Sequence, residues 1–216
     1  MQIVFISGWA TTDKIWKNVH CPGLETTYIS WDRIIRGDFT LPGNCIIAGW
    51  SLGGQLAIDL SRRAEVRGMV LVSSMTCIAS SVSRPGIEPE RCSMISRMLT
   101  RSRRGYLRSF FMECGAVEAD LPELLEQSGE FTMEELISGL SVMFNHLAVP
   151  DPAVPVTVIH GTDDRIIPVD VSRYLADFVM PRCKRIFLDR AGHLLPVHCP
   201  EVIGKAVVDL ADNILP

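Results

Sequence analysis

Short β-branched or apolar runs alternate with segments of helical spacing along most of the chain. Ile3 to Ile6, Thr27 to Ile29, Cys45 to Ala48, Met69 to Val72, Val156 to Ile159 and Arg185 to Leu188 predict strands; Leu52 to Arg63, Val169 to Phe178 and Glu201 to Ile214 predict helices. Several strand runs are apolar throughout, as a strand covered by helices on both faces requires. The alternation predicts an α/β fold with a mostly parallel sheet. It stops between about Cys77 and Val149, where helical patterns run without a convincing strand, and resumes after a Pro-rich stretch from Val149 to Pro155. An excursion of that length from a strand's carboxyl end lies over the ligand-binding edge of such a sheet. Residues 77–149 are therefore expected to form a helical lid inserted in a single domain of residues 1–216.

Composition removes several function classes. At 216 residues, with 47 % hydrophobic and 21 % charged positions, the chain has enough apolar residues for one substantial core. A net charge of −4 argues against nucleic-acid binding by the whole molecule. No apolar run approaches the roughly 18 residues of a membrane span, and Met1 to Ala10 lacks the basic and apolar regions of a signal peptide. A cytoplasmic monomer that engages no membrane is expected. The seven cysteines are odd in number, scattered and never spaced C-x-x-C, which predicts reduced thiols rather than a disulfide framework or zinc site.

Chemistry enters at Gly49-Trp50-Ser51-Leu52-Gly53-Gly54, a G-x-S-x-G between a predicted strand and a predicted helix. On such a sharp turn the neighbours two residues either side of the serine come close, so glycine at 49 and 53 removes side chains that would clash. Ser51 would stand above the sheet, with the amides of the following helix aimed at developing negative charge. A serine hydroxyl needs a base, and the base needs an acid, in the chain order Ser, Asp, His. His193, in Ala191-Gly192-His193 after the last strand, is the expected base; His160 reads as turn or core, His198 as surface, and His20 and His146 lie in connecting or lid segments. The acid should follow the penultimate strand, where Asp163 and Asp164 are adjacent. Asp164 is preferred because Asp163 is the more natural turn residue, and Asp189 is a weaker third candidate that would pair with a neighbouring arginine. Two amides for an oxyanion are expected from Leu52, after the nucleophile, and Trp9, in the loop after the first strand.

On these motifs the chain resembles the α/β-hydrolase superfamily and, within it, the pimeloyl-[acyl-carrier protein] methyl ester esterases of bacterial biotin synthesis. The broad resemblance covers nearly the whole chain and rests on Gly8-Trp9 with Trp16, Gly49 to Gly54, Gly161 to Pro168 and Ala191-Gly192-His193. The narrower one adds Leu71 to Ser74, continuing through Cys77 to the run Arg84 to Pro89, which is similar to the start of that esterase's lid. The resemblance implies an α/β-hydrolase fold, a triad of Ser51, Asp164 and His193, and oxyanion amides from Trp9 and Leu52. It also implies an ester substrate carried on an acyl carrier protein, and no metal or organic cofactor. Superfamily members usually begin with an antiparallel hairpin; this chain starts at the strand that follows it, so that hairpin is expected to be lacking.

The lid carries its own signal. From Arg84 to Arg108 there are seven arginines and two glutamates, concentrating positive charge in an otherwise acidic chain. Arg97, Arg101, Arg104 and Arg108 are spaced four, three and four apart, which predicts a guanidinium row on one helix face, opposite Ile95, Leu99, Tyr106 and Phe110. Like charges at that spacing repel, and an acidic carrier protein docking on the row would offset the repulsion. Phe110, Phe111 and Met98 are expected either to line an acyl channel or to fill the lid core. The resulting expectation is hydrolysis of a methyl ester of pimeloyl-[acyl-carrier protein] to the free acid and methanol. A broad-specificity carboxylesterase for small or medium-chain esters is the alternative.

Overall fold

The structure is a computed structural model that describes residues 1–214. Six strands form one sheet: β1 (Gln2–Ile6), β2 (Glu25–Ile29), β3 (Cys45–Trp50), β4 (Val66–Val72), β5 (Val156–Gly161) and β6 (Lys184–Leu188). Their order is β2-β1-β3-β4-β5-β6, and every neighbouring pair is parallel. All six predicted strands are present, each beginning within a few residues of its expected start. No antiparallel hairpin joins the sheet among the described residues.

Alternate side chains on each strand enter two separate cores. Ile3, Phe5, Ile46, Ala48, Val70 and Val72 face one side, whereas Val4, Ile6, Ile47, Met69 and Leu71 face the other. Burying each such aliphatic side chain stabilises the fold by about 1.5–3 kcal/mol. The helices are α1 (Trp31–Arg36), α2 (Leu52–Leu60), α3 (Pro89–Arg101), α4 (Arg103–Glu113), α5 (Leu121–Gly129), α6 (Met133–Asn145), α7 (Val169–Tyr174), α8 (Leu195–His198) and α9 (Pro200–Ile214). Ala57, Ile58 and Leu60 of α2 cover the second core, and Ile203, Val207 and Leu210 of α9 cover the first.

The differences from the sequence pattern are local. The helix expected from Leu52 to Arg63 ends at Leu60, and α7 stops at Tyr174 before a π turn from Leu175 to Val179. The helices α1 and α8 are too short to show periodicity in sequence. Between β4 and β5 the chain forms α3 to α6, but residues 77–88 are an irregular loop closed by isolated bridges of Ala79 to Ile87 and Ser81 to Arg84.

The single helix that would have carried the arginine row is interrupted. Ser102, at φ −153° and ψ 83°, ends α3 and starts α4, so Arg97 and Arg101 lie on one helix and Arg104 and Arg108 on another. The continuous face inferred from spacing is therefore corrected to two helix faces. The break is reinforced by Arg103, whose guanidinium donates to the carbonyls of Ser128 and Phe131 at 2.7 and 2.6 Å and ties the start of α4 to the end of α5.

Candidate active site

The strand order reverses at β1 and β3: the chain leaves β1 for β2 on one side, then returns to β3 on the other. At such a switch point the loops after the two strands diverge and leave a crevice at their carboxyl ends. Those loops contain Trp9 and Ser51.

Ser51 connects β3 to α2 at φ 55° and ψ −120°, a left-handed conformation that costs a non-glycine residue about 1–3 kcal/mol. Surrounding contacts hold it there. Its N–H donates to Val72 O at 2.9 Å, and its carbonyl accepts from Ser74 Oγ at 3.1 Å. A Cβ on Gly49 would stand 2.6 Å from Gly54 Cα, and one on Gly53 would stand 2.5 Å from Ser7 O. Both glycines are thus required by close backbone approach, as the motif's spacing predicts. The N–H groups of Trp9 and Leu52 have no acceptor among the described residues, which leaves both available to a ligand.

His193 and Asp164 meet in the interior. The His193 side chain is completely buried, and its Nδ1 lies 2.7 Å from Asp164 Oδ2. Asp164 Oδ1 accepts from the amides of Ile166 and Ile167, both at 2.8 Å. Burial alone would raise the Asp164 carboxyl, but the charge and hydrogen bond of His193, the nearby His160 and the Ile167 amide hold it below the usual carboxylate range. Asp163 is exposed and its amide donates to Ala191 O at 3.0 Å, while Asp189 is exposed beside Arg190. Of the three acids, Asp164 alone reaches His193.

The loop bearing His193 is held from three sides. Trp50 Nε1 donates to His193 O at 2.9 Å, Leu194 N donates to Cys114 O at 3.0 Å, and a Cβ on Gly161 would stand 2.6 Å from Gly192 O. His193 Nε2 is buried and has no protein partner, so the hydrogen bond from Ser51 Oγ to this nitrogen is not formed in this state. In unliganded sites such bonds are commonly long and shorten when substrate binds.

Ser51 opens on a cavity of about 190 Å³ whose apolar wall includes Trp9, Met98, Tyr106, Phe110 and Leu140, with Arg91, Glu113 and Arg165 also reaching it. Trp9 joins the floor to the inserted helices: its Nε1 donates to Leu136 O at 2.8 Å, and its ring meets Phe110 edge-on at 5.1 Å. Phe110 and Met98 line this cavity. Phe111 does not; it is fully buried in the core.

Two features of the site have no signature in the motifs. Trp50 was one letter of the motif with no role, and only the folded structure shows its indole anchoring the histidine loop. The sequence places His160 in a turn or the core; it is core, and its Nε2 lies 3.4 Å from Asp164 Oδ2. Its position four residues before Asp164 was the available signal.

The expected arginines are exposed. Arg97, Arg101 and Arg104 make no ion pair among the described residues, whereas Arg108 pairs with Glu118 at 2.6 Å. The seven cysteines are free, five of them buried, and burial pushes the Cys21 and Cys45 thiols up to about 11. Among the described residues no cluster could hold a metal, and no helix is long and apolar enough to cross a membrane.

A serine on a strained strand–helix turn, at the switch point of a parallel sheet and above a buried His–Asp pair, defines the α/β-hydrolase architecture. The model of the alpha/beta hydrolase family matches residues 3–206, and the chain belongs to that family. It is similar to a protein of Nitrosomonas europaea named pimeloyl-[acyl-carrier protein] methyl ester esterase, at 25 % identity over 232 residues covering 93 % of this chain and 91 % of the relative. A protein of the same name from Wigglesworthia glossinidia brevipalpis is 26 % identical over 203 residues, covering 79 % of this chain and 78 % of that one. Among solved structures, the esterase EaEST from Exiguobacterium antarcticum superimposes with a TM-score of 0.80 at 13 % identity, covering 98 % of this chain and 92 % of that one, a likeness of fold.

Proposed function

We propose that the protein is a serine carboxylesterase that hydrolyses the methyl ester of pimeloyl-[acyl-carrier protein], releasing methanol and the free ω-carboxylate. The observation that carries the hydrolase reading is the buried His193–Asp164 pair beside the strained Ser51 turn, which opens on an apolar cavity. The substrate is carried by the names of relatives that match most of the chain.

In this reading His193 Nε2 takes the Ser51 proton as Oγ attacks the ester carbonyl. The amides of Trp9 and Leu52 hold the oxyanion, and His193 returns the proton to departing methanol. Water then attacks the acyl-enzyme by the same route. Asp164 remains ionised, orients the imidazole through Nδ1 and stabilises its cation. None of these steps requires a metal or organic cofactor. The α3 to α6 insertion acts as a lid, with Met98 and Phe110 against the acyl chain.

A cytoplasmic acyl carrier protein is the partner. Its acidic surface would meet Arg97, Arg101 and Arg104, with Arg108 joining by exchanging Glu118 for a carrier carboxylate. Charged groups across such an interface chiefly set encounter rate and orientation, so interruption of the row at Ser102 is compatible with docking.

The test is mass spectrometry of the carrier-linked methyl ester incubated with wild type and with Ser51→Ala. Wild type is expected to remove about 14 Da, the exchange of methyl for hydrogen that ester hydrolysis entails, and Ser51→Ala to remove nothing. Retention of the ester by a wild-type protein that still cleaves p-nitrophenyl butyrate would overturn the carrier-linked substrate and favour a broad carboxylesterase.

A further inference from the structure

The geometry points to His160 as a positioning residue that clamps the turn carrying Asp164 and thereby aims the carboxylate at His193. This rests on the reading of Asp164 and His193 as acid and base.

His160 is the fifth residue of β5 and is completely buried. Its Nε2 lies 2.9 Å from Ile167 O. A carbonyl only accepts, so Nε2 must carry a proton, and in the neutral ring Nδ1 is then the bare nitrogen. Nδ1 has no partner, and burial pushes the imidazole below its ordinary value, both consistent with a neutral ring in that tautomer.

The consequence lies in how the turn closes. The Ile167 N–H donates to Asp164 Oδ1 while the Ile167 carbonyl accepts from His160, so the residue that grips the carboxylate is itself gripped from β5. Asp164 Oδ1 is occupied by the Ile166 and Ile167 amides, which leaves Oδ2 for His193. His160 Nε2 is 3.4 Å from that same Oδ2, so the positive end of its N–H dipole also favours the ionised carboxylate. The other titratable group close to Asp164 is the fully buried Cys114, just after α4, whose thiol burial holds well above its ordinary value and therefore neutral, with Glu113 beside it. His160 bonds to the turn rather than to Ser51 and does not line the cavity, so it acts through the turn.

His160→Phe keeps the ring volume and removes the donor; His160→Gln replaces the ring with an amide donor of similar reach. Each is assayed on p-nitrophenyl butyrate across pH, with rates normalised to the sites that a fluorophosphonate labels at Ser51. His160→Phe is expected to lower normalised kcat on the order of tenfold or more, as loss of orientation does, with KM within about twofold. A loosened carboxylate stabilises the His193 cation less, so the acid limb of kcat/KM moves to lower pH, and the low-field proton signal of the His193–Asp164 bond weakens. His160→Gln restores most of the rate and the limb. If His160→Phe does not fold, His160→Leu, which also lacks a donor, takes its place, with the same loss expected. Wild-type normalised kcat, acid limb and proton signal in a variant lacking the donor would overturn the inference, even if its melting temperature fell. Failure of the probe to label Ser51 in wild type would instead overturn the hydrolase reading and this inference with it.

Discussion

Asp163 and Asp164 are adjacent carboxylates with opposite fates. Asp163 faces water and spends its amide on Ala191, while Asp164 turns inward onto two amides and a buried imidazole. Asp164→Asn keeps the volume but removes the charge and disfavours the tautomer that leaves Nε2 free to accept. Its kcat on p-nitrophenyl butyrate should fall about 10³- to 10⁴-fold with KM nearly unchanged, whereas Asp163→Asn should stay close to wild type. Gly53→Ala tests the turn itself. Its methyl group would press on the Ser7 carbonyl at 2.5 Å, so fluorophosphonate labelling of Ser51 is expected to collapse. At this scale the G-x-S-x-G motif was readable because backbone crowding restricts residue type directly. His160 was not, because its meaning depends on a carbonyl seven residues away that folds back against it.

Among the elements, the arginine pattern shows where periodicity fails. Residues spaced four, three and four apart share a face only while one helix continues, and the break at Ser102 ends that condition. Carrier docking predicts that Arg97→Glu combined with Arg101→Glu raises KM for the carrier-linked ester by about tenfold or more, since reversing charge places like charges in opposition. Turnover of p-nitrophenyl butyrate by that variant should be unaffected; equal KM values on the carrier-linked ester would overturn docking on α3. Within the insertion, α6 is closed by a capping box: Glu135 N donates to Thr132 Oγ1 at 3.2 Å, and Thr132 N donates to Glu135 Oε2 at 2.7 Å. Thr132→Ala should therefore cost about 1 kcal/mol in urea unfolding.

For the whole molecule, two buried groups couple the site to stability. Folding holds His160 below its ordinary value of 6.5, so as pH falls through that value the unfolded chain takes up a proton that the folded chain refuses. Stability should decline there. Asp164, held below its ordinary 3.8, contributes stability that is present above that value and lost as pH falls toward its folded value. A melting curve measured from pH 8 to pH 3 is expected to show a first loss below about 6.5 and a second below about 4. A flat profile down to pH 4 would contradict the burial of neutral His160.

The strands, most of the long helices, the sharp turn carrying Ser51 and the place of His193 after the last strand were legible in the residues alone. Each of these depends on periods of two or 3.6 residues, or on crowding between near neighbours, and such constraints are written locally. Tertiary contacts were needed to show which aspartate reaches His193, that Trp50 anchors the loop bearing His193, that Arg108 is already paired, and that His160 lies against Asp164 and Ile167. Each of those depends on groups brought together by the crossing of β5, β6 and the inserted helices, and contacts made across a fold have no fixed spacing along the chain.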